Sequence, residues 1–386
     1  MSSSSSATAA LEGAVAAALA TVIDPEIRRP ITELKMVRSV AVTQPSQDAP
    51  GATAHIGIDL TTPGCPMKGD IVARVKEAAG AVSGIDHVEV ELSAMDAAQR
   101  EELRVMLRGS ATPVIPFAQP GNLTKVFAVG SGKGGVGKST VTANLAAAMA
   151  KNGVKVGILD ADIYGFSIPR MLGVTSQPTR VDSMLLPPIA HEVKVVSIGM
   201  FVPPGQPVVW RGPMLHRALE QFLTDVYWGD LDVLLLDLPP GTGDIAISVA
   251  QLLPNSSILT VTTPQAAAAE VAERSGSIAL QTGQQLVGVV ENMAWLEQPD
   301  GTKLEIFGAG GGAAVSESLS KITGTSVPLI GQIPLDVQLR QDGDDGVPVV
   351  IAHPESAAAQ ALTEVALTLA HRERGLQGMR LNISPL

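Results

Sequence analysis

Cysteine is almost missing from this chain: there is one, Cys65, in 386 residues. A single thiol excludes an intrachain disulfide and fits a reducing compartment. Aromatic residues make up only 3% of the sequence, so a 45% hydrophobic content has to build its core from Ala, Val, Leu and Ile. Positive charge is short as well. Lys and Arg number 27 against 38 Asp and Glu, a net charge of -11 that argues against a general nucleic-acid or anionic-membrane binder, a local basic patch aside. No uncharged apolar run reaches the roughly 20 residues that span a bilayer. The Ala-rich stretch from Leu11 to Ile23 is broken by Glu12 and has no basic leader ahead of it. A cytoplasmic protein is expected, with neither nucleic acid nor membrane as partner, long enough for two or three domains.

What is present is organised around Gly130 to Thr140, which reads Gly-Ser-Gly-Lys-Gly-Gly-Val-Gly-Lys-Ser-Thr. Gly132, Gly137, Lys138 and Ser139 satisfy the P-loop pattern, with an apolar strand (Val126 to Val129) before it and an Ala-rich helix (Lys138 to Lys151) after it. Gly132, Gly134, Gly135 and Gly137 allow a tight turn whose N–H groups face phosphate, with Val136 and Thr140 in the same cradle. The helix start adds its dipole. Lys138 is expected on the β- and γ-phosphates of ATP and Ser139 on Mg²⁺.

From Leu123 onward strand and helix patterns alternate, which predicts an α/β fold with a mostly parallel sheet covered by helices on both faces. Ligands in such sheets bind at the carboxyl ends of the strands. Two carboxylate motifs fall there. Asp160-Ala161-Asp162 ends one strand and Val233-Leu234-Leu235-Leu236-Asp237 ends another, followed by the Gly/Pro-rich switch Leu238 to Asp244. Asp160, Asp162 and Asp237 are candidate Mg²⁺ ligands with Ser139; the alternative for the first two is a pair of loop-capping aspartates. The Gly241 N–H is a candidate γ-phosphate contact released on hydrolysis. Asn292, and Pro334 with Asp336, end later strands; Asn292 is read equally well as a turn residue.

The first hundred residues form a separate, small α+β unit: a helix over Leu11–Val22, strands over Met36–Thr43, Ala54–Leu60 and Val88–Leu92, and a closing helix capped by Asp96. Pro66 suits a first helical position, which would place Cys65 at the N-cap of a helix over 67–79 and lower its thiol pKa. A small buried residue is the other reading of Cys65. The expected boundaries are a disordered tail at 1–6, the small domain at 7–108, a Pro-rich linker at 109–122, the P-loop domain at 123–375 and a tail at 376–386.

Lys133, a second Lys inside the loop, resembles the deviant Walker A of the Min/Par/nitrogenase-iron-protein group. Asp24-Pro25-Glu26 and Leu60 to Pro66 resemble a PaaD-like domain of iron–sulfur assembly. With Trp210 to Met214, Leu238 to Asp244, Glu291-Asn292-Met293 and Ile306-Phe307-Gly308, the chain resembles the Mrp/ApbC-type iron–sulfur carriers. The resemblance implies a slow ATPase that sandwiches nucleotide in a homodimer, with Lys133 reaching the partner's nucleotide, Lys138 and Asp162 catalytic, and Asn292 and the Pro334–Asp336 segment against the base. It also implies transfer of an iron–sulfur cluster to apoprotein clients. Family carriers hold that cluster with Cys-Pro-x-Cys between the Glu-Asn-Met and Ile-Phe-Gly segments. Here Ala294 to Glu305 has no Cys, and Cys65 is the one thiol left to consider. A nucleotide-switched scaffold without a cluster, or a Min/Par-type positioning ATPase, are the alternatives.

Overall fold

The computed structural model describes residues 2–44, 51–109, 114–163, 165–202, 212–241, 243–265 and 268–372. Tyr164, Trp210-Arg211 and Thr242, and the tail at 376–386, lie outside these residues. The chain divides into two units, Met1–Pro113 with Thr179–Leu186, and Val114–Pro178 with Pro187–Leu386.

In chain order the first unit contains α1 (Ser2–Leu19), β1 (Val37–Thr43), β2 (Thr53–Leu60), α2 (Lys68–Gly80), β3 (His87–Ala94) and α3 (Ala97–Arg108). The second begins with β4 (Lys125–Gly130), α4 (Lys138–Lys151), β5 (Val156–Asp160) and α5 (Ile168–Met171). A hairpin, β6 (Thr179–Val181) and β7 (Met184–Leu186), then belongs to the first unit. The second resumes with β8 (Ile189–Ala190), β9 (Val193–Ser197), α6 (Gly212–Asp225), β10 (Val233–Asp237), α7 (Asp244–Leu252), β11 (Ser257–Thr262) and α8 (Ala268–Thr282). It closes with β12 (Gln285–Glu297), β13 (Lys303–Leu304), α9 (Gly311–Thr323), β14 (Leu329–Leu335), α10 (Val337–Asp345), α11 (Val349–Ala352) and α12 (Ala357–His371).

The first unit is the expected α+β domain. Its sheet runs β1-β2-β3, antiparallel then parallel. Asp96 caps α3 through a reciprocal capping box with Gln99, as the sequence signals. Two expectations change. The serine run is not a loose tail: α1 starts at Ser2, because an unbroken Ser/Ala/Thr/Leu stretch offers no Pro or Gly to stop the helix extending backwards. The 179–186 hairpin was not foreseen at all. It is held by Arg100 on Asp182 at 3.2 Å and by Arg104 on the Ser183 hydroxyl at 3.0 Å.

In the second unit nine strands form one sheet, ordered β13-β12-β11-β4-β10-β5-β9-β8, with β14 on β12. The inner pairings are parallel, and β8 and β13 are antiparallel edges. Helix α4 is buried along nearly its whole length, from Val141 to Ala150. Its run of alanines lets the backbone sit close to both the sheet and α12. The expected linker ends early: Phe117 is buried and packs edge-on against Trp228, ring centroids 6.2 Å apart, so the segment from Val114 onward belongs to this unit. An aromatic side chain has too much apolar surface to leave in a solvated spacer.

Candidate nucleotide site

The parallel register sets the site. Asp237 at the end of β10 lies level with Val129 of β4 on one side and Asp160 of β5 on the other. The P-loop leaves β4 one residue further on, and α4 begins at Lys138, so both acidic motifs and the loop meet at the carboxyl edge of the sheet.

The loop is tied through its carbonyls, three times from outside and once from within. Arg274 of α8 donates to Gly132 O at 2.7 Å, the Ser131 hydroxyl to Lys133 O at 3.0 Å, Asn292 Nδ2 to Val136 O at 2.9 Å and Gly241 N to Ser131 O at 2.9 Å. In a trans peptide the N–H points opposite to the carbonyl, so carbonyls drawn outward turn N–H groups into the cradle. Gly132 is required by packing, since a Cβ there would stand 2.7 Å from the Val271 backbone. Gly137 is required twice, by its φ of 78° and by the Asn292 amide that a Cβ would strike. Gly134 and Gly135 are exposed at the loop's outer turn.

Inside the cradle one carboxylate gathers the motif. Lys138 Nζ and Ser139 Oγ each lie 2.6 Å from Asp237 Oδ2, and the Thr142 hydroxyl donates to Oδ1 at 2.8 Å. Lys138 is 6% and Asp237 0% exposed at the side chain, so this is a buried ion pair. Asp162 stands 3.9 Å from the same ammonium and accepts Gly165 N at 3.1 Å. Asp160 is placed differently from expectation. Its carboxylate accepts Asp162 N, Ile168 N and the Ser197 hydroxyl at 3.0–3.3 Å. Burial, and next the charge of Asp237, push its pKa up. It braces the switch segment more than it offers a ligand oxygen.

Oxygen donors suit Mg²⁺, and Ser139 with Asp237 fit that ion. Among the described residues no three His, Cys, Asp or Glu side chains form a protein-only metal cluster. Mg²⁺ usually completes its shell with substrate phosphate and water.

Asn292 and the Pro334–Asp336 segment, the expected base contacts, also have partners within the chain. Glu291-Asn292-Met293 does not end its strand: β12 runs on to Glu297 through an irregular register, with Met293 at φ 59°. Asn292 is 3% exposed and spends its amide N–H on the P-loop. Pro334 is buried and Asp336 caps α10 by accepting Gln338 N at 2.7 Å. We predict that Asn292→Ala weakens nucleotide binding about tenfold, the cost of one lost buried hydrogen bond. Titration with a fluorescent ATP analogue measures it, and an unchanged dissociation constant would contradict the bracing role.

The segment without cysteine, Ala294 to Glu305, closes as a finished hairpin. Leu296 and Glu297 pair with Leu304 and Lys303, Asp300 caps the turn at Thr302, and the Lys303 ammonium lies 3.6 Å above the Trp295 ring. Cys65, in the first unit, is not an N-cap. A turn over 62–65 intervenes and α2 starts at Lys68. The thiol is 3% exposed and donates to Glu26 Oε2 at 3.4 Å; the Thr179 hydroxyl donates to the other Glu26 oxygen. Burial, then the charge of Glu26, pushes Cys65 up to about 12, opposite to the lowering expected. Burial also raises Glu26 and Asp24.

Comparison with known proteins agrees with this geometry. A family profile described as NUBPL iron-transfer P-loop NTPase matches residues 122–370, and one described as iron-sulfur cluster assembly protein matches residues 12–92. The iron-sulfur cluster carrier protein of Mycobacterium bovis is 61% identical over 376 residues, covering 97% of each chain. This chain belongs to the iron-transfer P-loop NTPase family. A second family member, the carrier protein of Deinococcus radiodurans, is 42% identical over 363 residues, 93% of this chain and 95% of its own. Among solved structures, a nucleotide-binding protein of Archaeoglobus fulgidus in complex with ADP is 39% identical, covering 57% of this chain and 86% of its own, with a TM-score of 0.49. Thr142, Ser197, Arg274 and Gln265 were not read from the sequence. Only Thr142 carried a signal there, one helical turn beyond Ser139.

Proposed function

We propose that this chain is an ATP-hydrolysing iron–sulfur cluster carrier and assembly factor, working as a nucleotide-bridged homodimer in the cytoplasm with slow, partner-coupled turnover. The observation that carries the ATPase reading is the convergence of Lys138, Ser139 and Thr142 on Asp237. To grip a triphosphate, Lys138 exchanges the carboxylate for phosphate oxygens, and the outward-tied loop meets them with N–H groups. Ser139 and Asp237 would hold Mg²⁺, which would supply charge neutralisation at the phosphates. Asp162 holds the attacking water, and the Gly241 N–H changes its acceptor from Ser131 O to the γ-phosphate, which moves the switch. The exposed Phe166, four residues after Asp162, gives that switch an apolar face for a partner.

The cluster is cargo in this reading. The donors do not fit a cluster held on the Ala294–Glu305 hairpin: it has no thiol, and Cys65 is buried and protonated. The carrier reading is supported by the family and by the assembly-type first domain.

Two measurements test these halves. Asp162→Ala should keep nucleotide affinity and lower turnover at least about 100-fold, the scale of losing a positioned group; unchanged turnover removes Asp162 from the water. Incubation with iron, sulfide and an apo-acceptor under anaerobic conditions should give cluster gain by the acceptor that rises with ATP and vanishes in Lys138→Ala. Gain indifferent to ATP would leave the nucleotide-switched scaffold as the better reading.

A further inference from the structure

Lys133 is not a free loop charge. Its ammonium is hydrogen-bonded to the side-chain carbonyl of Gln265, on the turn between β11 and α8. The same neighbourhood grips the loop a second time, where Arg274 donates to Gly132 O and the missing Gly132 side chain leaves room for Val271. The backbone at Gly132 and the Lys133 carbonyl are therefore held, while the Lys side chain stays adjustable. Its tether is a neutral amide in an exposed position, not a carboxylate. An amide oxygen orients an ammonium without neutralising it, and an anionic phosphate competes successfully for the same donors because charge-assisted bonds are stronger.

We propose that Gln265 is a positioning residue that docks Lys133 within its own protomer until the triphosphate of a second copy of this chain takes it, and so sets the protein concentration at which paired turnover begins. The inference rests on the homodimer reading above. Two Lys133–Gln265 hydrogen bonds break for each pair formed, so their small individual contributions enter twice.

The test is ATP turnover measured against protein concentration for the full-length chain, wild type and four variants. Gln265→Ala should lower the half-activating concentration about fourfold, roughly twofold for each of the two hydrogen bonds removed. Gln265→Glu replaces the amide by a carboxylate and should raise it about tenfold. Opposite shifts separate docking from a structural role, in which both variants would impair turnover alike. In a Lys133→Ala background Gln265→Ala should shift nothing. If Gln265→Ala and Gln265→Glu leave the half-activating concentration at the wild-type value while Lys133→Ala abolishes concentration dependence, the docking role is wrong and the trans-acting Lys stands. If wild-type turnover per protomer does not depend on concentration, or Lys133→Ala behaves as wild type, the homodimer reading itself fails.

Discussion

Exchange of Lys138 for alanine will abolish useful nucleotide binding and will weaken the fold at the same time. The Lys138 ammonium lies 2.6 Å from Asp237 and 3.9 Å from Asp162. Losing its bonds to phosphate should weaken ATP at least about 100-fold. The second effect follows from burial. Asp237 is fully enclosed, and without Lys138 it keeps two hydroxyl donors but no countercharge. Removing one partner of a buried pair costs about 3–5 kcal/mol, because the other charge stays behind. The melting temperature measured without nucleotide should therefore fall, and Lys138→Met with Asp237→Asn should recover part of the loss that Lys138→Met shows alone. A Lys138→Ala protein that binds ATP normally would dismiss the site; one that melts like wild type would dismiss the buried pair.

Cys65 will be nearly inert in the folded protein. An ordinary thiol near 8.5 is about one-quarter thiolate at pH 8, whereas one pushed up to about 12 is thiolate in roughly one molecule in ten thousand. Iodoacetamide should modify Cys65 at least about 10³-fold more slowly than it modifies the chain in denaturant. The pH dependence has a definite sign. Above about pH 9 the unfolded chain has released the thiol proton and the folded chain has not, so the folded state binds more protons. Stability falls as pH rises from about 9 towards 12, and is unaffected by this group below that window. Cys65→Ser should flatten the fall. Rapid alkylation at pH 8 would show that the Glu26 and Thr179 contacts do not shield the thiol.

The nucleotide site was legible wherever chemistry demands residue types at fixed spacing. Gly132 to Thr140, Asp162 and Asp237 come together at the carboxyl edge of the sheet, and α4 has the expected ends. What escaped acts across long sequence separations. Gln265 meets Lys133 from 132 residues away, and Arg274 meets Gly132 from 142. Neither carries a local pattern. Cys65 was misplaced because Pro66 is compatible with a helix start but does not compel one; the chain turns once more before Lys68. Asn292 was misplaced because one left-handed residue, Met293, lets β12 continue where turn chemistry suggested a stop.

The 179–186 hairpin changes what counts as a separable piece of this protein. The chain passes between its two units at 113/114, 178/179 and 186/187, so the first unit is written in two places in the gene. A fragment ending at Pro113 encodes the thiol and its carboxylate but leaves out the Thr179 hydroxyl that holds Glu26. A cut placed between the units at 113/114 alone would leave the hairpin with the wrong piece. Either unit expressed by itself as one continuous stretch would lose part of itself or carry part of the other.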